Sequence, residues 1–173
     1  MTTEYLLAKE VGHVLAALTP QNRLIIETVL QTGLRISDVL ELKTSDLKPS
    51  MWVTERKTGK KHRCGLKKDL LRRILAQAGP IWAFPGRNGN GHKTRQAVWA
   101  DVKRAAKAFR LPQNVGTHSF RKAYAVELLA KYGDLLRVQR AMGHSAPSIT
   151  VIYAMADRLL DARLQREGKG DLT

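Results

Sequence analysis

Two histidines, an arginine and a tyrosine fall within one short region of this basic chain. The T-H-S-F-R segment places His118 and Arg121 three positions apart, which on a helix puts both side chains on one face. The M-G-H-S segment places His144 directly after a glycine, and Tyr153 follows nine positions later. Arginine and histidine both bind phosphate oxygens, so these residues form a candidate phosphate-handling set.

The net charge of the whole chain indicates what kind of phosphate-bearing partner to expect. Its 173 residues include 30 Lys and Arg against 15 Asp and Glu, for a formal net charge of +15. The basic residues are spread along the sequence instead of forming a tail, which argues against a disordered basic arm. A solvated lysine-rich face is the alternative explanation, but such an excess favours a polyanionic partner, and nucleic acid is the first candidate.

Breaking a DNA strand without a metal requires three kinds of group. A hydroxyl nucleophile must lose its proton, the charge on the non-bridging oxygens needs fixed donors such as arginine, and the departing sugar oxygen needs a general acid. Each candidate alone has an ordinary structural explanation, as a surface pair, a helix cap or a core tyrosine. Together they cover all three needs: Arg35, Lys57, His118, Arg121, His144 and Tyr153.

The single cysteine, Cys64, excludes an internal disulfide and a cysteine-based metal site. The N-terminal segment carries Glu4 and lacks a long apolar run, so no signal peptide is expected, and no stretch approaches the ~20 apolar residues of a membrane span. We therefore expect a cytoplasmic protein that does not associate with a membrane.

The elements that must position these residues follow from apolar periodicity and from Gly and Pro punctuation. Thr19 is the predicted N-cap of a core helix that begins at Pro20 and ends at Gly33. Arg35 follows directly, between two apolar residues. An arginine in that setting must be paired or must face a ligand.

The rest of the chain is predicted to be mostly helical. Two short strands, 51–55 and 62–66, flank a basic turn that contains Lys57, at the edge of the fold. The predicted architecture is mainly α with a small antiparallel β element (α+β). Further amphipathic helices are expected at 7–18, 68–78, 94–109, 117–132 and 134–142, with Leu75 and Phe109 among their inward residues.

Several of these segments, taken in order, resemble the successive motifs of the tyrosine recombinase (phage integrase) family. The matching segments are T-G-L-R-I-S-D-V-L-E-L with Arg35, K-T-G-K with Lys57, H-S-F-R, and M-G-H-S followed by Tyr153. The resemblance implies a catalytic-domain fold of that family and a DNA strand transferase that needs no metal or other cofactor. Its product would be a 3′-phosphotyrosine intermediate formed by Tyr153.

The resemblance also implies roles for the other residues. Arg35 and Arg121 would clamp the phosphate oxygens, and His118 and His144 would hold or position them, with His118 also assisting the tyrosine proton. Lys57 would be the general acid, with Lys60 and Lys61 as rivals on the same turn. Asp38 would orient Arg35 or His118 without taking part in the chemistry. Contacts to DNA are expected from Lys60, Lys61, Arg95 and Lys122.

Residues 1–173 are expected to form a single catalytic domain, with a tail at 157–173 that packs on its own subunit or is exchanged with a neighbour. Family members usually carry an N-terminal helical domain on the opposite side of the DNA. Only 34 residues precede Arg35, so that domain is expected to be absent, in either an excised or a natural minimal chain.

The implied function is site-specific recombination of double-stranded DNA by a homo-oligomer, a tetramer on DNA, in a bacterial or phage-infected cell. Two alternatives share part of this chemistry or fold. One is a type IB topoisomerase-like activity that relaxes DNA. The other is a non-catalytic DNA-binding regulator that retains the fold.

Overall fold

The computed structural model describes residues 6–89, 91–112 and 114–142. This part of the chain is mainly helical with one two-stranded antiparallel sheet, which confirms the predicted fold class. The elements are α1 (Ala8–Ala17), α2 (Pro20–Thr32), α3 (Ile36–Leu40), a 3₁₀ turn (Thr44–Asp46), β1 (Ser50–Thr54), β2 (Lys61–Gly65), α4 (Lys68–Gln77), α5 (Arg95–Ala108), α6 (Thr117–Tyr132) and α7 (Leu135–Ala141).

The chain divides into two compact units, Met1–Tyr124 and Ala125–Thr173, with the boundary inside α6. The first unit has an apolar core to which every α-helix and both strands from α1 to the start of α6 contribute, with Ile25, Leu40, Phe84 and Phe120 fully buried. In the second unit, α7 begins after Asp134, whose carboxylate accepts a hydrogen bond from the Arg137 amide at 3.2 Å.

Helix α2 begins and ends where the sequence predicts. Pro20 occupies its first turn, and Gly33 ends it with φ of 68°, donating its amide to the Val29 carbonyl at 2.8 Å. The predicted cap at Thr19 is wrong in one respect, because its side chain makes no capping bond to α2. The Thr19 hydroxyl instead donates to Asp101 Oδ2 of α5 at 2.8 Å.

The sheet confirms the predicted hairpin, shifted towards the N-terminus by one residue. Ser50 pairs with Gly65 and Thr54 with Lys61, so the regular ladder stops one position before Glu55. Inward and outward residues alternate along β1: Met51 and Val53 are buried, whereas the Trp52 side chain is 69% exposed. Beyond Thr54, the Glu55 amide still donates to the Lys60 carbonyl, while the Glu55 side chain pairs with Arg35 outside the sheet.

Two residues predicted to face the core are exposed. Leu75 of α4 is 46% exposed and Phe109, just after α5, is 41% exposed. Phe109 lies at the end of its helix, where its ring stacks on His13 with the ring centroids 4.7 Å apart. Within the described ranges, no helix combines the length and the apolar character needed to cross a membrane.

Candidate active site

Arg35 is held in place by the core residues on either side of it. The left-handed backbone at Gly33 turns the chain out of α2, and Leu34 and Ile36 then enter the core, at 0% and 6% exposure. Arg35 itself has an extended backbone and precedes α3 as its N-cap residue. This alternation directs a guanidinium between two buried side chains into a site where only 10% of its side chain is exposed.

The Arg35 guanidinium is paired with a carboxylate from the hairpin. Its Nη1 donates to Glu55 Oε2 at 2.6 Å and lies 3.9 Å from Asp38 Oδ2, and both acids are 1% exposed. The prediction that Arg35 must be paired or face a ligand is therefore confirmed. Its Nη2 is buried and makes no hydrogen bond to any described residue, so one amino group remains for an incoming acceptor.

Lys57 lies on the exposed turn between β1 and β2. The Glu55 amide donates to the Lys60 carbonyl at 2.9 Å, and the Gly59 amide donates to the Glu55 carbonyl at 2.8 Å, with φ of 67° at Gly59. Within the described part of the chain, the Lys57 ammonium has no hydrogen bond or ion pair. Lys60 and Lys61 are also exposed, so all three lysines are available to a ligand.

Asp38 fastens α3 to the base of this turn. Its Oδ1 accepts a hydrogen bond from the Arg56 amide at 3.1 Å, while its Oδ2 faces Arg35. The Arg56 side chain returns to α3 through an ion pair of 2.7 Å with Glu41. The structure thus places Asp38 beside Arg35, the first of the two partners that the sequence predicts for it.

Helix α6 supplies His118 and Arg121 from its first turns. Ser119 and Phe120 between them are fully buried and fix the rotation of the helix. Arg121 is only 5% exposed, whereas His118 is solvent-exposed. One turn later, Tyr124 lies against Gly33, so closely that a Cβ at position 33 would collide with its ring. This contact sets α6 against the segment that carries Arg35.

The pKa values show that these groups share one electrostatic environment. Burial, followed by repulsion from Arg35, lowers the pKa of Arg121 to about 10, although Glu55 and Asp38 oppose the shift. Burial raises the pKa of Glu55, but hydrogen bonds from Arg35 and Thr58 outweigh it and leave that pKa below the ordinary 4.5. Two mutually repelling guanidinium groups near one surface favour the binding of an anion.

His118 lies within the same field. Partial burial of its ring and the charges of Arg121, Arg95, Arg35 and Lys122 lower its pKa below the ordinary 6.5. Its imidazole is therefore neutral at pH 7, able to accept a proton or to donate one hydrogen bond. The charges of Arg95, exposed at the start of α5, and of the partly buried Lys122 thus act on the candidate site.

His144 and Tyr153, together with the tail at 157–173, lie outside the described residues. In the described part of the chain, no three His, Cys, Asp or Glu side chains converge as metal ligands. Glu55 is the site residue that the sequence did not single out. The available signal was the requirement of Arg35 for a partner, which did not say which acid would supply it.

The sequence model of the phage integrase family matches residues 4–158. The chain belongs to this family. Among its relatives, the "Probable integrase/recombinase YoeC" of Bacillus subtilis is 30% identical over 134 residues, covering 74% of each protein. The "Tyrosine recombinase XerD" of Rhizobium meliloti is 32% identical over 150 residues, covering 79% of this phage integrase family member and 48% of XerD.

Solved structures support the same fold at lower identity. The lambda integrase catalytic core superposes with a TM-score of 0.72 at 22% identity, covering 86% of this family member and 95% of that chain. The XerH recombinase in a post-cleavage complex with its difH DNA gives a TM-score of 0.71 at 24% identity, covering 94% and 53%. The chain therefore spans about half the length of XerD and XerH.

Proposed function

We propose that this chain is the catalytic domain of a site-specific DNA recombinase that cleaves and rejoins strands through a phosphotyrosine intermediate. The observation that carries the proposal is the shared environment of Arg35 and Arg121. The two guanidinium groups come from the α2–α3 junction and from α6, both are largely buried, and the charge of Arg35 contributes to the lowered pKa of Arg121. Two like charges held close together in a buried site repel each other, and a bound phosphate would relieve that repulsion.

In the proposed reaction, the Tyr153 oxygen attacks the scissile phosphorus. The new O–P bond forms as the bond from phosphorus to the 5′ oxygen breaks, and the strand is left as a 3′-phosphotyrosine. A 5′ hydroxyl then reverses these steps on the same or another strand, so the energy of the phosphodiester is conserved and no cofactor is required. Arg35 and Arg121 stabilise the charge on the non-bridging oxygens.

The other side chains carry out the proton transfers of this reaction. His118, neutral at pH 7, accepts the tyrosine proton or bonds the phosphate, and His144 also contacts the phosphate. Lys57 protonates the departing 5′ oxygen, with Lys60 and Lys61 as alternatives on the same exposed turn. Asp38 orients Arg35, beside which it lies at 3.9 Å.

We further propose that the substrate is double-stranded DNA bound by a homo-oligomer in the cytoplasm of a bacterial or phage-infected cell. Solved relatives include a lambda integrase dimer on a core site and a lambda integrase tetramer on a Holliday junction. Residues 1–173 would serve as the catalytic domain, with the segment 157–173 packing on its own or a neighbouring subunit. Because many of the contacts would be to phosphates, binding should weaken steeply with salt.

The decisive experiment captures the covalent intermediate. A pool of nicked duplexes with randomised arms is incubated with the chain, and adducts that survive denaturant are recovered and sequenced. A nick close to the cleavage point lets the short cleaved strand diffuse away, which traps the enzyme on DNA. We expect adducts enriched in one sequence, and no adducts from Tyr153→Phe, although its salt-sensitive DNA binding is unchanged.

Tyr132→Phe is the matched control, because Tyr132 lies exposed near the end of α6 and its ring contacts Lys131 and Arg137. This variant should form the parent amount of adduct. Full adduct yield from Tyr153→Phe would contradict the assignment of the nucleophile. Adducts with no sequence preference, together with relaxation of any supercoiled plasmid, would favour a topoisomerase over a recombinase.

A further inference from the structure

Glu55 is a buried acid two positions before the proposed general acid. Its side chain is 1% exposed and accepts hydrogen bonds from Arg35 Nη1 at 2.6 Å and from the Thr58 hydroxyl at 2.7 Å. Burying a carboxylate is unfavourable unless charged or hydrogen-bonding partners replace water. The lowered pKa of Glu55 indicates that these partners more than compensate, so the acid remains ionised at pH 7.

The same residue also closes the turn that bears Lys57. The Glu55 amide donates to the Lys60 carbonyl, and the Glu55 carbonyl accepts from the Gly59 amide, so its backbone makes two bonds to the opposite end of the loop. The hydroxyl of Thr58, next to Lys57, bonds the Glu55 carboxylate from within the loop and receives the Lys60 amide at 3.3 Å. Arg35 and the Lys57 turn are thus joined through one carboxylate.

The remaining links between α3 and the turn do not provide the same connection. Asp38 bonds the Arg56 backbone, and Glu41 pairs with the exposed Arg56 side chain. Neither of these bonds reaches Thr58. In the described residues, Glu55 alone receives hydrogen bonds from both Arg35 and the residue that follows Lys57.

We propose that Glu55 is a positioning residue that couples the phosphate clamp at Arg35 to the placement of Lys57. Its carboxylate engages Nη1 of Arg35, leaves Nη2 for the phosphate, and holds the turn through Thr58 so that the lysine reaches the departing oxygen. This inference rests on the proposed function, because it assigns Glu55 a part in the strand cleavage described above.

The test uses two DNA substrates that differ in one atom. In the first, the scissile phosphate has its normal 5′ oxygen; in the second, sulfur replaces that bridging oxygen. A thiolate leaves without being protonated, so the second substrate bypasses the general acid while still requiring Arg35. The rate of adduct formation is measured on both substrates for the parent chain and each variant, with melting temperatures as a check on folding.

Thr58→Val removes the hydroxyl and leaves the Arg35–Glu55 pair intact. We expect cleavage of the oxygen substrate to slow by about tenfold, and cleavage of the sulfur substrate to occur at the parent rate. Thr58→Ser, which retains the hydroxyl, should restore the parent rate on both. Glu55→Gln should slow cleavage of the oxygen substrate by roughly 10- to 100-fold. The sulfur substrate should restore only part of that lost rate, because the variant also disturbs Arg35.

Glu41→Gln is the matched control. It makes the same chemical change in an acid that also joins α3 to the turn, through an exposed ion pair. It should leave both rates within about twofold of the parent, since exposed ion pairs contribute little. Lys57→Ala provides the reference for a complete rescue by sulfur.

Two results would overturn the coupling while the proposed function stands. One is an equal loss on both substrates in Thr58→Val, and the other is parent cleavage of the oxygen substrate by both Thr58→Val and Glu55→Gln. Should Glu55→Gln fail to fold, Thr58→Val decides alone. Failure of the parent chain to form an adduct with either substrate is a separate outcome, which would overturn the proposed function and the coupling with it.

Discussion

Tyr124 packs its ring against the backbone of Gly33, two positions before Arg35. Gly33 combines a left-handed backbone, with φ of 68°, and no room for a side chain on the face that Tyr124 covers. The contact joins the end of α2 to Tyr124 of α6, which follows His118 and Arg121 at intervals of three residues. The position of both proposed phosphate-binding arginines therefore depends on a glycine that has no chemistry of its own.

Replacing Gly33 with alanine should destabilise the first unit and displace its arginines. The backbone strain costs about 1 kcal/mol, and the collision with Tyr124 raises the total loss of unfolding free energy to roughly 2–4 kcal/mol. Urea unfolding measures the loss. Gly133→Ala is the control, because Gly133 is also left-handed, at 63°, but has open space around it. Equal losses in the two variants would show that the Tyr124 contact adds nothing.

Removing each of the two arginines should affect stability differently. Arg121→Met removes a buried charge whose pKa is lowered to about 10. At pH 7, which is below both the folded-state pKa of about 10 and the ordinary pKa of 12.5, the guanidinium is charged in the folded and the unfolded chain. The full free-energy cost of burying that charge therefore applies at this pH. We expect the melting temperature to hold or rise, although cleavage falls by about 10²- to 10³-fold.

Arg35→Met leaves the buried Glu55 without its closest cation. It should lose a similar factor in cleavage and also about 3 kcal/mol of unfolding free energy. Thermal melts and adduct assays on the two variants, made side by side, check both quantities. A lower melting temperature for Arg121→Met than for Arg35→Met would contradict this assignment of the charges.

Asp101 should stabilise the fold by joining α5 to the start of α2. Burial raises its pKa, but hydrogen bonds from Asn22, from the Thr19 amide and from Arg104 outweigh it and lower the value from 3.8 to about 2. The resulting stability is fully present above pH 3.8 and is lost as the pH falls towards 2. Asp101→Ala should therefore cost about 2 kcal/mol at pH 7.

The difference between the parent and Asp101→Ala should shrink in urea unfolding measured at progressively lower pH. Asp69→Asn serves as the control, because Asp69 bonds Arg72 and Arg73 at an exposed position on α4. Its melting temperature should match that of the parent. A constant Asp101→Ala deficit from pH 7 down to pH 2 would contradict the titration of this carboxylate.

The sequence predicted the helices well because their signals are local. Pro20 and Gly33 bound α2, Thr94 caps α5 through the Ala97 amide, and α6 spans Thr117–Tyr132 as its periodicity indicates. Phe109 was assigned to the core because it continues an apolar stripe. The helix ends there, and periodicity carries no information about what covers the last turn.

The sequence predicted candidate site residues but not the contacts between them. The two apolar neighbours of Arg35 were enough to predict that it needs a partner. They could not identify the residues around it, because Glu55 and Arg121 lie 20 and 86 positions further along the chain. Pairing over such distances is set by tertiary packing. The Thr19 hydroxyl shows the same effect, since it fits the local capping rule yet bonds a carboxylate 82 positions away.

Lys57 is exposed to solvent on its turn, whereas Arg35 and Arg121 are largely buried. In the proposed reaction, such an acid becomes effective only when a duplex fills the space in front of it and excludes the solvent. Strand breakage is then conditional on a fitted target. A cell could carry this protein next to its own chromosome with little danger of random nicks.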